Sequence, residues 1–240
     1  QEKLPGAVME HGGTPENRIF REVADLGREL KELGEKTLGQ RVPARVALLF
    51  DWESWWALSF SSGPSKDFDY CRICREWFSA LHALGIPVEI AHPSHDLSRF
   101  DLILAPALTM FPEGLAERLR QRVAEGAWLV GTSFTGLVDD TDTVFLEGAP
   151  GPLHDVFGIH VEETDSVLPG EPNEIIGELG TFGAEVLCDR IHLRGAQTLA
   201  TYGRDWYSGE PCFTVNGYGE GRGYYLATFP DEGGRRAILG

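Results

Sequence analysis

The hydrophobic pattern is clearest at RVALLF, where Val46 to Phe50 are apolar without interruption and Ala44 precedes them. A run that short cannot span a membrane, and its continuity does not fit a strand with one wet face. It predicts a strand covered on both sides, the centre of a parallel sheet. Beyond it two periods alternate. In DYCRICREWFSALHALG the positions Tyr70, Cys71, Cys74, Trp77, Phe78, Leu81 and Leu84 recur at helical intervals, so a helix is expected over about 68 to 84. Strands are expected at 87–93 and 100–106, then a helix in PEGLAERLRQRVAEG with Pro112 in its first turn and Gly126 at its exit, then a strand at 127–134. Later the texture changes. Runs at 160–167, 185–193, 197–203, 211–219 and 221–229, broken by Gly and Pro, predict antiparallel strands, with a hairpin around GEGRG.

Ahead of the first strand, residues 1–15 read as a loop punctuated by Pro5, Gly6, Gly12, Gly13 and Pro15. Pro15 and Glu16 open a helix whose Ile19, Phe20, Val23, Leu26, Leu30 and Leu33 fall at helical spacing, ending near Gly34 or Gly39. Pro43 marks the boundary. A single amphipathic helix cannot bury its own stripe, so it must lean on other sequence. The order of elements from 44 onward predicts an α/β fold: a flavodoxin-like parallel sheet flanked by helices, with additional antiparallel strands in the C-terminal half. Class I glutamine amidotransferases share this architecture.

The first strand is followed by DWESWW, which sets three indoles and two carboxylates just past its carboxyl end. In open α/β sheets that edge is where ligands or partners are met. One tryptophan there would be expected to pack under the next helix. Three together point to a surface that another body covers, because Trp is enriched among interface anchors.

Composition narrows the partners. The formal charge of −16 over 240 residues would repel nucleic acid and anionic membranes, so neither is expected. The CxxC of Cys71 and Cys74 lies inside a helical apolar pattern, which turns both thiols toward a core. No second CxxC or His pair completes a zinc set, and no GxGxxG follows a strand, so no metal or cofactor is expected. The amidotransferase nucleophile would stand at the elbow after LILAPALTM, where neither Cys nor Ser occurs. Ser133 is expected to satisfy backbone groups in a turn, and VDDTD at 138–142 to form a solvated acidic turn. Glu162 and Glu163, adjacent on a strand, would point to opposite faces and could not serve one site. The chain opens on Gln1 with neither a charged n-region nor an apolar h-region, and is read as part of a longer, cytoplasmic polypeptide.

Several stretches taken together resemble one family. EKLPGAVMEH with RIFREVADLGRELKELG, VALLFDWESWWAL, GTSFTGLVDDTDTVFLEGAPGPLHDVFGIHVEETD and GYGEGRGYYLATFPD are similar, in order, to the C-terminal half of family 42 glycoside hydrolases, the β-galactosidases. DWESWW and FTGLVDDTD are the most specific parts. The resemblance implies that residues 1–40 are the last loop and helix of a catalytic TIM barrel, that 41–232 form an amidotransferase-like trimerisation domain, and that 233–240 lead into a further β domain.

It also implies retaining hydrolysis of terminal β-D-galactosides by a Glu pair on barrel strands upstream of Gln1. No catalytic residue is then expected in this chain, which would be inactive alone. The family's last barrel loop commonly supplies a Glu and, three residues later, a His to the galactose. Glu2 matches the Glu and is the substrate-binding candidate, whereas Pro5 stands in place of the His and offers no donor. His11 is a weaker candidate. The implied partners are further copies of the chain, as a homotrimer, and the β-galactoside. Trp52, Glu53, Trp55 and Trp56 are placed at or near the subunit interface. The competing reading is a free-standing amidotransferase-like small-molecule hydrolase or binding protein, which needs a nucleophile at the elbow.

Overall fold

A computed structural model describes residue 8 and residues 13–61 and 63–240, which fall into two compact units divided after Val42. The expected N-terminal loop lies largely outside the described residues. In the first unit, α1 (Arg18–Thr37) begins where the Asn17 side chain accepts the Phe20 N–H at 2.8 Å. It ends between the two glycines expected to stop it.

The second unit, Pro43–Gly240, alternates as the pattern predicts. Its elements are β1 (Val46–Leu49), α2 (Trp52–Phe60), α3 (Tyr70–Ala83), β2 (Val88–Ala91), β3 (Leu102–Ala105), α4 (Leu115–Ala124) and β4 (Trp128–Thr132). There follow a short α5 (His154–Phe157), β5 (Ile159–Ser166), β6 (Asn173–Gly177), β7 (Gly180–Leu193) and β8 (Gln197–Tyr202). The last elements are β9 (Pro211–Tyr218), β10 (Gly221–Leu226), β11 (Thr228–Pro230) and α6 (Glu232–Leu239). All the strands join one mixed sheet in the order β11-β7-β6-β8-β9-β10-β4-β3-β1-β2, with β5 also on β7. Its parallel part is β2-β1-β3-β4-β10, and every residue of β1 is buried. The remaining pairings are antiparallel, and β9 with β10 forms the expected hairpin.

Both faces are covered. Trp77 of α3 shares a cavity with Val130, while the next residue, Gly131, lies under the Phe157 ring of α5. Successive strand residues point to opposite faces, so α3 and α5 cover opposite sides. Burying side chains such as Leu48, Leu81, Leu104 and Leu119 contributes about 1.5–3 kcal/mol each.

Four expectations change on contact with the structure. DWESWW, expected only as the edge just past the first strand, itself opens a nine-residue helix. Pro112 precedes α4, whose N-cap is Gly114 at φ 80°. Only Cys74 of the CxxC pair enters the core; Cys71 is half-buried on its flank, and all four cysteines are free. Glu162 and Glu163 do converge, because the pairing of β5 with β7 shifts register between Val161 and Glu163. The bulge cancels the alternation, and both carboxylates reach Arg190 Nη1, at 3.2 and 2.9 Å.

Candidate functional site

At the carboxyl end of β1 the backbone of Asp51 stays extended, and its side chain caps α2 by accepting the Ser54 N–H at 2.7 Å. The first turn is then fixed to the core from two sides. The Asp51 N–H donates to the Tyr70 hydroxyl at 3.1 Å, and the buried Ser54 Oγ accepts the Met110 N–H at 3.0 Å. Helical spacing sorts the aromatic residues. Trp55 turns inward toward Phe50, with ring centroids 6.5 Å apart. Trp52, Trp56 and Phe60, four residues apart in succession, form one outward stripe with exposures of 50, 52 and 90%. The Trp52 and Trp56 centroids are 6.4 Å apart. Phe60 escaped the sequence reading, because its place in the stripe emerges only when the segment is a helix. Glu53 is exposed beside Trp52. Glu2, Pro5 and His11 lie outside the described residues.

The turn after β3, where the competing reading needs a nucleophile, carries neither Cys nor Ser. Ala107 sits there at φ 48°, wholly buried, with its N–H on Thr132 Oγ1 at 2.8 Å. The thiols are held protonated. Burial pushes Cys74 up to about 12 and Cys188 up to about 11, and raises Cys71 and Cys212 as well. Ser133, expected to serve a turn, instead donates to the buried Asp189 carboxylate at 2.8 Å. The 138–142 turn closes on itself as expected: Asp139 Oδ1 accepts the Thr141 hydroxyl and the N–H groups of Thr141 and Thr143 at 2.7–3.1 Å. Those bonds, the Thr141 hydroxyl first, hold its carboxyl below the usual range.

A family model described as the β-galactosidase trimerisation domain matches residues 44–240. The chain belongs to that family. The similarity to family 42 β-galactosidases is thereby borne out along nearly the whole chain. The β-galactosidase BgaP of Planococcus sp. (strain L4) is 44% identical over 236 residues, covering 96% of this chain and 35% of that protein. BgaB of Geobacillus sp. (strain Y412MC61) is 43% identical over 231 residues, with 96% and 34% covered. The crystal structure of the β-galactosidase from Bacillus circulans sp. alkalophilus superimposes with a TM-score of 0.84 at 41% identity, covering 98% of this chain and 36% of that one. The chain spans about a third of the length of the relatives it matches.

Proposed function

We propose that this chain is the assembly domain of a retaining β-galactosidase, holding copies of a sugar-cleaving barrel together as a homotrimer. Residues 1–40 are the end of that barrel in this proposal, with Glu2 reaching the galactoside, 41–232 assemble the subunits, and 233–240 lead toward a further β domain. The parallel order β2-β1-β3-β4-β10 supports a flavodoxin-like, amidotransferase-like origin. Ala107 at the elbow speaks against a hydrolase working at the strand ends. Four free thiols suit the reducing cytoplasm that the proposal includes.

The observation that carries the reading is the stripe of Trp52, Trp56 and Phe60. Covering its exposed area removes on the order of 400 Å² from water, taking a large aromatic side chain as about 150–250 Å². That is about half of the roughly 800 Å² one partner contributes to a stable interface. Trp55 and Glu53 flank it, Trp55 from beneath and Glu53 at the rim. The test is Trp52→Ala with Trp56→Ala in the full-length parent, read by light scattering, by circular dichroism and by hydrolysis of a terminal β-D-galactoside. Interface anchors cost about 2 kcal/mol or more each, so association should weaken by about a thousandfold while the fold persists. An intact trimer with unaltered affinity for substrate would discard the proposal.

A further inference from the structure

We infer that the carboxyl ends of β1 and β2 form a binding site for a divalent cation of the zinc class. Asp51 follows β1, Glu53 lies in the first turn of α2, and His92 follows β2. One donor atom from each lies within 4.8 Å of both others. The sequence hides this set, because His92 stands far along the chain from the two carboxylates. The residues meet only because β1 and β2 are parallel neighbours that end together, with Leu49 opposite Ala91.

The distances fit a small tetrahedral ion. Two ligands held 2.0–2.1 Å from one zinc lie about 3.4 Å apart at the tetrahedral angle. Asp51 Oδ1 and His92 Nε2 are 3.3 Å apart. Glu53 Oε2 is 4.0 Å from the same nitrogen, on an exposed side chain free to close the remaining gap. Imidazole with two carboxylates suits zinc or manganese, with water completing the shell. The ligands are also oriented from behind. His92 Nδ1 lies 2.7 Å from Ser94 Oγ, an acceptor for the Nδ1 proton that leaves the Nε2 lone pair for a metal. The weaker 3.2 Å approach of the Ser94 N–H to Nδ1 belongs to the other tautomer.

The burial and capping role of Asp51 fix the orientation of its second oxygen. Asp51 is only 5% exposed, and its Oδ2 is taken by the Ser54 N–H. Its Oδ1 accepts no hydrogen bond among the described residues and is aimed into the space between His92 and Glu53. The oxygen is thereby held facing His92 Nε2, with no donor from the backbone competing for it among the described residues. The start of α2 opposes a cation with about half a positive charge, but two carboxylates outweigh it.

The experiment titrates zinc chloride into the EDTA-stripped chain, followed by calorimetry and by tryptophan fluorescence, since Trp52 sits between two of the ligands. One equivalent should bind. His92→Ala should abolish binding, and Glu53→Gln should weaken it at least about 100-fold, the upper end of what even a supporting partner of a metal ligand costs. Both positions are partly exposed, and circular dichroism checks that the variants fold. Absence of zinc binding, as expected if an imidazolium merely bridges the two carboxylates, overturns the inference. So does binding that survives Glu53→Gln, which a bare pair of His92 and His95 would give. The assembly proposal stands or falls separately, on the light-scattering mass.

Discussion

Ser133 and Asp189, 56 residues apart in the chain, meet inside the sheet with the serine hydroxyl donating to the carboxylate at 2.8 Å. Thr164 and Tyr225 donate to the same group at 2.7 and 2.9 Å. The three hydroxyls come from β4, β5 and β10 or their ends, so one carboxylate on β7 ties the parallel part of the sheet to the antiparallel part. No histidine is among its partners in the described residues. The arrangement resembles a catalytic pair only on paper, since both residues are buried and the contact is structural.

That network makes stability depend on pH. Burial pushes the Asp189 carboxyl up to about 6, against the lowering effect of the three hydroxyls. The folded chain therefore holds the proton more tightly than the unfolded chain. The stabilisation is complete below the unfolded value of about 3.9 and is lost as pH rises through about 6. A two-unit gap corresponds to about 3 kcal/mol. Asp189→Asn, neutral throughout, should gain about that much relative to the natural chain between about pH 4 and pH 7. Urea midpoints at the two pH values measure it, and a difference that does not change with pH would reject the argument.

The anchoring of α2 can be tested without touching its tryptophans. Ser54→Ala removes the acceptor of the buried Met110 N–H, and an orphaned buried donor costs about 1–3 kcal/mol. Ser59 on the same helix donates to the Trp55 carbonyl at an exposed position and makes no other side-chain bond among the described residues. Ser59→Ala should therefore change stability by no more than about 0.5 kcal/mol. Equal effects from the two substitutions would mean that Ser54 does not pin the helix.

The parallel core was legible because its signals are local. Val46 to Leu49 are apolar without a break, and the stripe from Tyr70 to Leu81 repeats at helical intervals. α2 was not legible by the same means, because indoles on several sides leave no clear period. Its readable sign was Asp51, a capping residue with Glu53 in the following turn. The convergence of Glu162 and Glu163 has no local sign at all, since the register shift arises where β5 meets β7. The same is true of Ser133 with Asp189 and of Asp51 with His92. Contacts across a sheet follow from pairing, which the spacing of one segment does not contain.

Close backbone approach sets a further constraint at Gly223 on β10. A Cβ there would meet the Val156 carbonyl carbon at 2.9 Å, with its oxygen nearer still. Neither atom can swing aside as a side chain could. Gly223→Ala should cost about 1–3 kcal/mol or more, as overpacking does. Gly27, in the middle of α1, has open space around its Cβ position, and Gly27→Ala should stabilise that helix by up to about 1 kcal/mol. Thermal melting of the two variants in opposite directions is the expected result; a neutral Gly223→Ala would show that β10 and α5 can separate.

The bulge in β5 predicts a particular sensitivity to salt. It brings Glu162 and Glu163 onto Arg190, whose other edge binds both oxygens of Glu210 at 3.0 and 2.9 Å. The guanidinium also lies over the Trp206 ring, 4.4 Å from its centroid. Hydrogen bonds to Glu210 and then Glu163 raise its pKa, so the cation is permanent. Lysine keeps the charge but neither the fork nor the stacked plane, and Arg190→Lys should lower the melting temperature. Arg190→Gln should lower it further, because three carboxylates then face one another without the guanidinium. Only that second, electrostatic part is screened, with the Debye length falling to about 3 Å at 1 M salt. The gap between the glutamine and lysine variants should therefore narrow as sodium chloride is raised. A gap that salt leaves unchanged would assign the role of Arg190 to its packing on Trp206 instead of to its charge.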